Sequence, residues 1–183
     1  MKKQLAFCIN SLVIGGAEIL LVDLINNWPD NYDLHLILLQ DKHYLIDLLN
    51  SKSRVRIFTL KNDQPLILKL RSIRGYLRRQ KIDICISHLE KPNKLCLLSA
   101  LLTRTKVFPV IHSINIYEKS TIQSRIVAGI IYRALATQVI CISPTVKDYC
   151  TKGLGIKEER IVQINNGIDF KRILKYQKKV EYG

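Results

Sequence analysis

Gln4-Leu5-Ala6-Phe7-Cys8-Ile9-Asn10, followed by Ser11-Leu12-Val13-Ile14-Gly15-Gly16-Ala17-Glu18, decides the fold of this chain. The first seven residues form a nearly unbroken apolar run with the length of a buried strand. Beyond the glycine pair, Ile19-Leu20-Leu21-Val22-Asp23-Leu24-Ile25 reads as a helix. A strand that feeds a helix through glycines is where an α/β protein meets its ligand. Glycine lets the backbone come close, and the helix N-terminus offers free N–H groups to an anion. The pair falls short of the G-x-G-x-x-G dinucleotide pattern. At this point contact of Gly15 and Gly16 with a phosphate or substrate and a plain tight turn are both open readings. Glu18 reads either as a ligand contact or as a first-turn carboxylate favoured by the helix dipole.

The alternation continues along the chain. Asn27 to Asn31 is a turn, Asp33 to Leu39 a strand, Tyr44 to Leu49 a short helix, and Arg54 to Leu60 a half-exposed strand near a sheet edge. Pro65 to Gln80 has Leu66, Leu70, Ile73 and Leu77 on one helical face and Arg71, Arg74 and Arg78 opposite. That basic side is either a solvated surface or a contact with anionic lipid headgroups. Ile82 to His88 is a strand, Lys94 to Leu102 a helix, and Lys106 to His112 a strand in which Pro109 signals imperfect pairing. Ser120 with Gln123 suggests a capping box for a helix whose Ile122, Ile126, Val127, Ile130, Ile131 and Leu135 share an apolar face. Thr137 to Ile142 is a strand. Ser143-Pro144 then reads as an N-cap with proline at the first helical position, and that helix stops at Gly153. Arg160 to Ile164 is the last strand, before Asn165-Asn166-Gly167-Ile168-Asp169.

Residues 1–169 therefore read as one Rossmann-like α/β domain, a doubly wound and mostly parallel sheet with helices on both faces. Residues 170–183 read as a basic linker or tail. Ligands of such sheets sit at the carboxyl ends of the strands, where the Gly15-Gly16 turn, His88, His112 and Ser143 all fall. His35 and His43 read as structural or solvated. For His88 and His112 a structural role and a ligand role stay open.

The length, 183 residues, suits one well-buried core, and 48% hydrophobic with 24% charged residues excludes a disordered chain. The net charge of +14 predicts attraction to nucleic acid, anionic lipid or a phosphorylated ligand. Few aromatic residues interleave with the basic ones and no nucleic-acid motif is present, so nucleic acid is not an expected partner. Cys8, Cys85, Cys96, Cys141 and Cys150 form no C-x-x-C pair and read as reduced, buried thiols of a cytoplasmic protein. No metal and no cofactor is expected. Ile126 to Ile142 is the nearest approach to a membrane span, and Arg133 and Gln138 interrupt it. Lys2 and Lys3 precede an apolar run as in a signal peptide, but Asn10, Ser11 and Glu18 break that run.

Taken in order, Ser11 to Glu18, Ser87-His88-Leu89-Glu90-Lys91-Pro92-Asn93, Val110-Ile111-His112-Ser113, Cys141-Ile142-Ser143-Pro144-Thr145-Val146 and Ile164-Asn165-Asn166-Gly167-Ile168-Asp169 resemble the N-terminal domain of retaining glycosyltransferases of family 4. The resemblance implies one half of a GT-B fold, two Rossmann-like domains facing each other across a cleft. It implies an acceptor-side domain of an enzyme that moves a sugar from a nucleotide-sugar donor to a lipid-linked or polysaccharide acceptor in surface glycan or lipopolysaccharide synthesis. His112 would stand beside the reacting sugar. Gly15, Gly16, Glu18, His88, Asn115, Ser143, Asn166 and Gly167 would line the substrate cleft. In relatives the histidine of the His112 motif stands two or three residues later, where this chain has Ile114 and Asn115. The nucleotide sugar would be held mainly by a C-terminal donor domain. The family's Glu-x7-Glu region has no counterpart here, so that domain is expected to be absent and the chain incomplete on its own, with a donor-domain subunit as a possible partner. Arg71, Arg74 and Arg78 would face an anionic membrane from the cytoplasmic side, as a peripheral contact. A non-catalytic module that binds a glycan or a partner is the alternative class.

Overall fold

The computed structural model describes residues 2–49, 54–114 and 121–167. Asn115, Ser120, Ile168, Asp169 and the basic tail at 170–183 lie outside these residues. The strands are β1 (Lys3–Ile9), β2 (Tyr32–Leu38), β3 (Val55–Thr59), β4 (Ile84–His88), β5 (Lys106–Ile111), β6 (Val139–Cys141) and β7 (Ile161–Gln163). They form one seven-stranded sheet in the order β3-β2-β1-β4-β5-β6-β7. Every neighbouring pair is parallel. The doubly wound expectation is met, with β3 at the edge its basic alternation predicts.

The helices are α1 (Gly16–Asn26), α2 (Leu66–Arg79), α3 (Glu90–Ala100), α4 (Ile122–Leu135) and α5 (Pro144–Asp148), the last continued by a π-helical turn over Tyr149–Gly153. Two buried clusters flank the sheet. One joins Leu21, Val22 and Ile25 of α1 to Phe7, Leu36 and Leu38. The other joins Ile73 and Leu77 of α2, Leu95 of α3, Tyr132 of α4 and Cys150 to Cys8, Cys85 and Cys141 on the opposite side. Alternate strand residues thus feed different faces, as the two-residue period demands. The chain winds outward from β1 through β2 to β3, returns through α2 to β4 beside β1, and then winds the other way. The order reverses between β1 and β4. Their carboxyl ends are the switch point, where α/β sheets of this kind open a crevice.

Several local expectations need correction. Residues 44–49 form a 3-10 turn at Ile46–Leu48 rather than a regular helix. Helix α3 starts at Glu90, four residues before the expected Lys94, because Pro92 fits its first turn. Thr121, not Ser120, caps α4, accepting from the Ser124 amide at 3.3 Å. The buried side of α4 is Ala128, Gly129 and Tyr132, whereas Ile122, Ile126, Val127 and Ile130 are exposed. Small residues decide this: a Cβ on Gly129 would lie 2.7 Å from the Leu154 carbonyl oxygen, so only glycine lets the helix settle there. Arg133 donates to the same carbonyl at 3.0 Å.

In α2 the buried residues are Lys69, Ile73, Tyr76 and Leu77, while Leu66 is exposed together with Ile67 and Leu68. Arg74 is not on the outer face. Its guanidinium donates to the Leu98 and Ser99 carbonyls, both at 3.2 Å, and braces α2 to α3. Only Arg71 and Arg78 of the three arginines are exposed.

Candidate active site at the sheet switch point

The loop from Ser11 to Gly15 is pinned at its base. The Leu12 amide donates to the Lys42 carbonyl at 2.8 Å, and the Leu45 amide to the Leu12 carbonyl at 3.0 Å. Its tip carries Ile14, 79% exposed. Gly15 has φ −165° and ψ 160°, an extended conformation open to any residue, so this is not a turn that demands glycine. A Cβ at Gly15 would meet the end of the flexible Glu18 side chain, whose carboxylate lies buried over the start of α1 and could swing aside. Gly16 is exposed and faces open space. Of the pair, Gly15 lies against the Glu18 carboxylate, and Gly16 alone faces open space at the helix start.

Beside this loop, β4 ends in His88 and β5 is followed by His112. His88 Nδ1 and His112 Nε2 are 3.0 Å apart, so the two histidines of the sequence pattern form a hydrogen-bonded pair. His88 is 2% exposed and packs on Phe7, ring centroids 6.4 Å apart. It lies beneath His112 rather than at the surface. Burial holds the His88 imidazole down to about 3, with the nearby His112 charge adding to the effect. Burial likewise holds His112 down to about 4. Both rings are neutral at pH 7, so His112 is a weak base and offers a hydrogen bond rather than a cation.

The chain leaves β4 through Leu89, at φ 74° and ψ 159°. This region is almost reserved for glycine and costs on the order of 1–3 kcal/mol for another residue. Backbone strain of this kind gathers at functional sites, and nothing in a leucine announces it to a reader of the sequence. Asn93 is the other residue that sequence reading missed as a site group. It is fully buried in the first turn of α3, where its Nδ2 donates to the Val110 carbonyl at 3.0 Å and ties α3 to β5. A polar side chain within an otherwise apolar helix face was the signal available. Leu89, Glu90, Asn93, Val110, Ile111, His112 and Ser113 line a hollow with about 20 Å³ of space, enough for one water-sized group. Glu90 on its rim pairs with Lys94.

The remaining candidates are more dispersed. Ser143 caps α5, accepting from the Val146 amide at 3.3 Å, with Pro144 at the first helical position as expected. Asn166 and Gly167 are exposed after β7. Asn115 lies outside the described residues. His35, expected to be structural, is buried between Tyr76 Oη at 2.9 Å and Gln4 Oε1 at 3.0 Å. Among the described residues no group of three or more His, Cys, Asp or Glu side chains is arranged to hold a metal ion. Among them, too, no helix is long and apolar enough to cross a membrane.

A parallel sheet in this order, with a glycine-containing loop after β1 and a histidine pair after β4 and β5, is a Rossmann-like α/β domain with its candidate site at the carboxyl ends of the strands. The model of glycosyltransferase family 4 matches residues 14–172, and the chain belongs to that family. Among solved structures, Anabaena HepE in complex with UDP and glucose aligns with a TM-score of 0.72 at 18% identity, over 96% of this chain and 50% of that one. A Rickettsia africae glycosyltransferase aligns with a TM-score of 0.68 at 13% identity, over 100% of this chain and 50% of that one. The lipopolysaccharide outer core galactosyltransferase WaaB aligns with a TM-score of 0.63 at 15% identity, over 91% of this chain and 46% of that one. At such identities the likeness establishes the fold. The chain spans about half the length of these proteins. No curated protein matches its sequence.

Proposed function

We propose that this chain is the acceptor-side half of a retaining glycosyltransferase that moves a hexose from a nucleotide sugar to a lipid-linked or polysaccharide acceptor in surface glycan synthesis. The observation that carries the reading is the hydrogen-bonded, neutral His88–His112 pair at the carboxyl ends of β4 and β5, in a chain of family 4. Sugar transfer breaks the bond from the anomeric carbon to the donor phosphate and forms one to an acceptor oxygen. The acceptor proton leaves on the departing diphosphate. His112 then serves by orienting a sugar oxygen, and Gly16 by leaving α1 amides free for the diphosphate. Ser143, Asn166, Gly167 and Asn115 are proposed to border the cleft on the donor side. The nucleotide is held by a second domain or subunit, without metal or cofactor.

The test is a chimera of this chain with the donor half of Anabaena HepE, supplied with UDP-glucose and a bacterial lipid extract. Glucose transfer is expected, reduced roughly tenfold by His112→Ala, which removes one hydrogen bond of about 1–1.5 kcal/mol. A chimera that binds acceptor and transfers nothing would favour the binding-module reading.

Peripheral attachment to the cytoplasmic face of an anionic membrane is part of the proposal. Arg71 and Arg78 stand exposed on α2, Arg71 one turn from the uncovered Ile67 and Leu68 and Arg78 near the other end of the helix. That combination of apolar and basic surface suits a lipid interface. Each arginine near an anionic surface contributes about 1 kcal/mol, so Arg71→Gln with Arg78→Gln should weaken binding to phosphatidylglycerol vesicles roughly thirtyfold at low salt. Arg74→Gln should lower stability instead. Equal flotation of the wild type and the double variant would remove the membrane from the proposal.

A further inference from the structure

We propose a second ligand site at the opposite end of the sheet, a pocket at the amino ends of β4 and β5 that binds a phosphorylated sugar. Arg78, Lys81 and Arg104 hold the phosphate there, and Asp83 takes a sugar hydroxyl. The site shares no residue with the candidate active site and stands apart from the transferase reading.

Two loops make the pocket, 80–83 between α2 and β4 and 101–105 between α3 and β5. The space they enclose is about 580 Å³, within the usual range of small-molecule sites. Its backbone is fixed before any ligand arrives. The Ile82 amide donates to the Leu77 carbonyl and the Asp83 amide to the Gln4 carbonyl, both at 2.9 Å. Thr105 Oγ1 donates across to the Ile82 carbonyl at 2.8 Å and joins the two loops. Thr103 Oγ1 donates to the Ala100 carbonyl at 2.7 Å and accepts from the Thr105 amide at 3.2 Å.

Among the described residues three non-glycine residues have positive φ. Leu89 is the one in the candidate active site. The other two, Lys81 at 50° and Leu102 at 64°, both line this pocket. Lys81 follows the C-cap of α2, the position where glycine usually takes the left-handed turn. A lysine held there sets a cation at the pocket at a conformational cost, and such strain gathers at functional sites.

Arg78, Lys81 and Arg104 are exposed, and none pairs with a carboxylate among the described residues. Basic residues also gather at helix C-termini, and α2 and α3 both end here. Two such ends carry about one negative charge between them, and Asp83 adds another, so the three cations exceed what the fold itself needs. Asp83 Oδ2 accepts from the Gln4 amide at 2.8 Å, which leaves Oδ1 to take a hydroxyl. Cations beside a carboxylate suit a ligand with an anionic end and a hydroxylated one. A bare polyanion would be repelled by Asp83, and a neutral sugar would forgo the cations. Leu102, 89% exposed, offers a contact to the C–H face of a sugar ring.

The test is amide NMR of the full chain at low salt with glucose 6-phosphate, glucose, inorganic phosphate and phosphatidylglycerol vesicles, each added alone. Glucose 6-phosphate should shift the amides of Lys81, Asp83, Arg104 and Thr105. Inorganic phosphate should bind there roughly tenfold more weakly, and glucose should leave these signals in place. Arg78 also borders the exposed side of α2, so Lys81, Asp83 and Arg104 carry the substitutions. Lys81→Gly should raise the melting temperature, since glycine is at ease at this φ, and still lower the affinity for glucose 6-phosphate roughly tenfold. A merely structural residue would not separate those two effects. Arg104→Gln should cost a similar factor in affinity, and Asp83→Asn should narrow the preference for glucose 6-phosphate over inorganic phosphate. Pocket amides that stay in place at millimolar glucose 6-phosphate overturn the proposal, as does an unchanged affinity in Lys81→Gly. Equal binding of inorganic phosphate by the wild type overturns it as well, and shifts from the vesicles alone would give the surface to lipid headgroups instead. No nucleotide sugar enters these measurements, so their failure leaves the transferase reading to the chimera assay.

Discussion

Phe7→Ala is expected to destabilise the domain by about 3–5 kcal/mol, read as a fall in the urea midpoint without loss of the folded baseline. Phe7 is fully buried in β1, the strand from which the sheet winds in both directions. Its ring meets Trp28 edge-on, centroids 5.2 Å apart at 81°, and on its other side it meets His88. Deleting it removes the transfer free energy of the ring and leaves a cavity that three neighbouring elements would have to collapse together to fill. Beyond stability, the loss reaches the site, because Phe7 is one of the groups His88 packs on and burial is what holds its protonation down. His88 in the alanine variant should titrate closer to the ordinary imidazole value, while Phe7→Leu should cost under about 1.5 kcal/mol and leave His88 neutral. A loss below about 1 kcal/mol for the alanine variant would show that the aromatic layer under the site is not tightly packed.

Phe7 illustrates what was legible in the sequence. Apolar runs of strand length, separated by helical periods, are local signals, and they placed each strand within a residue or two. Ser143-Pro144 was legible for the same reason, since a cap bonds within three residues of itself. Other features depend on partners far along the chain. Arg74 had the spacing of a surface residue, but the carbonyls that capture it stand 24 and 25 residues later. The apolar stripe of α4 was legible as a stripe, but only Ile131 and Leu135 of it pack against the core, while Ile122, Ile126, Val127 and Ile130 are exposed. What decides is that Gly129 admits Leu154, which no helical period encodes. In the site, Gly15 was conspicuous as a residue that lets a ligand come close, yet its backbone is extended and its neighbour is the Glu18 carboxylate. His88 and His112 were each recognisable as strand-end histidines. That they touch follows from β4 and β5 being neighbours, with His88 in register with Val110, two residues before His112.

Acidification should unfold this domain earlier than its carboxylates alone would suggest, because buried histidines resist protonation. His35 is held down to about 4 by burial and by the Arg56 charge, against a smaller opposing effect of Asp33. His88 and His112 are held down to about 3 and about 4. In the unfolded chain all three take up a proton near pH 6.5, whereas the folded chain refuses it until well below that. The unfolded state therefore binds more protons between those limits, and stability rises with pH there. The neutral rings are fully accommodated above about pH 7, and the folded state loses ground as pH falls from there towards 4. At pH 5 each ring accounts for about 2 kcal/mol of lost stability, about 6 kcal/mol for the three, against a typical total of roughly 5–15 kcal/mol. For a domain of this size that corresponds to a fall in melting temperature of roughly 12–24 °C between pH 7.5 and 5.0. His35→Gln should remove about a third of the slope, since glutamine keeps a polar contact to Tyr76 or Gln4 and takes no proton. The sign is diagnostic. A melting temperature that stayed flat or rose on acidification would mean that the histidine pair is charged in the folded protein, and His112 would then meet a substrate as a cation rather than as a neutral hydrogen-bond donor.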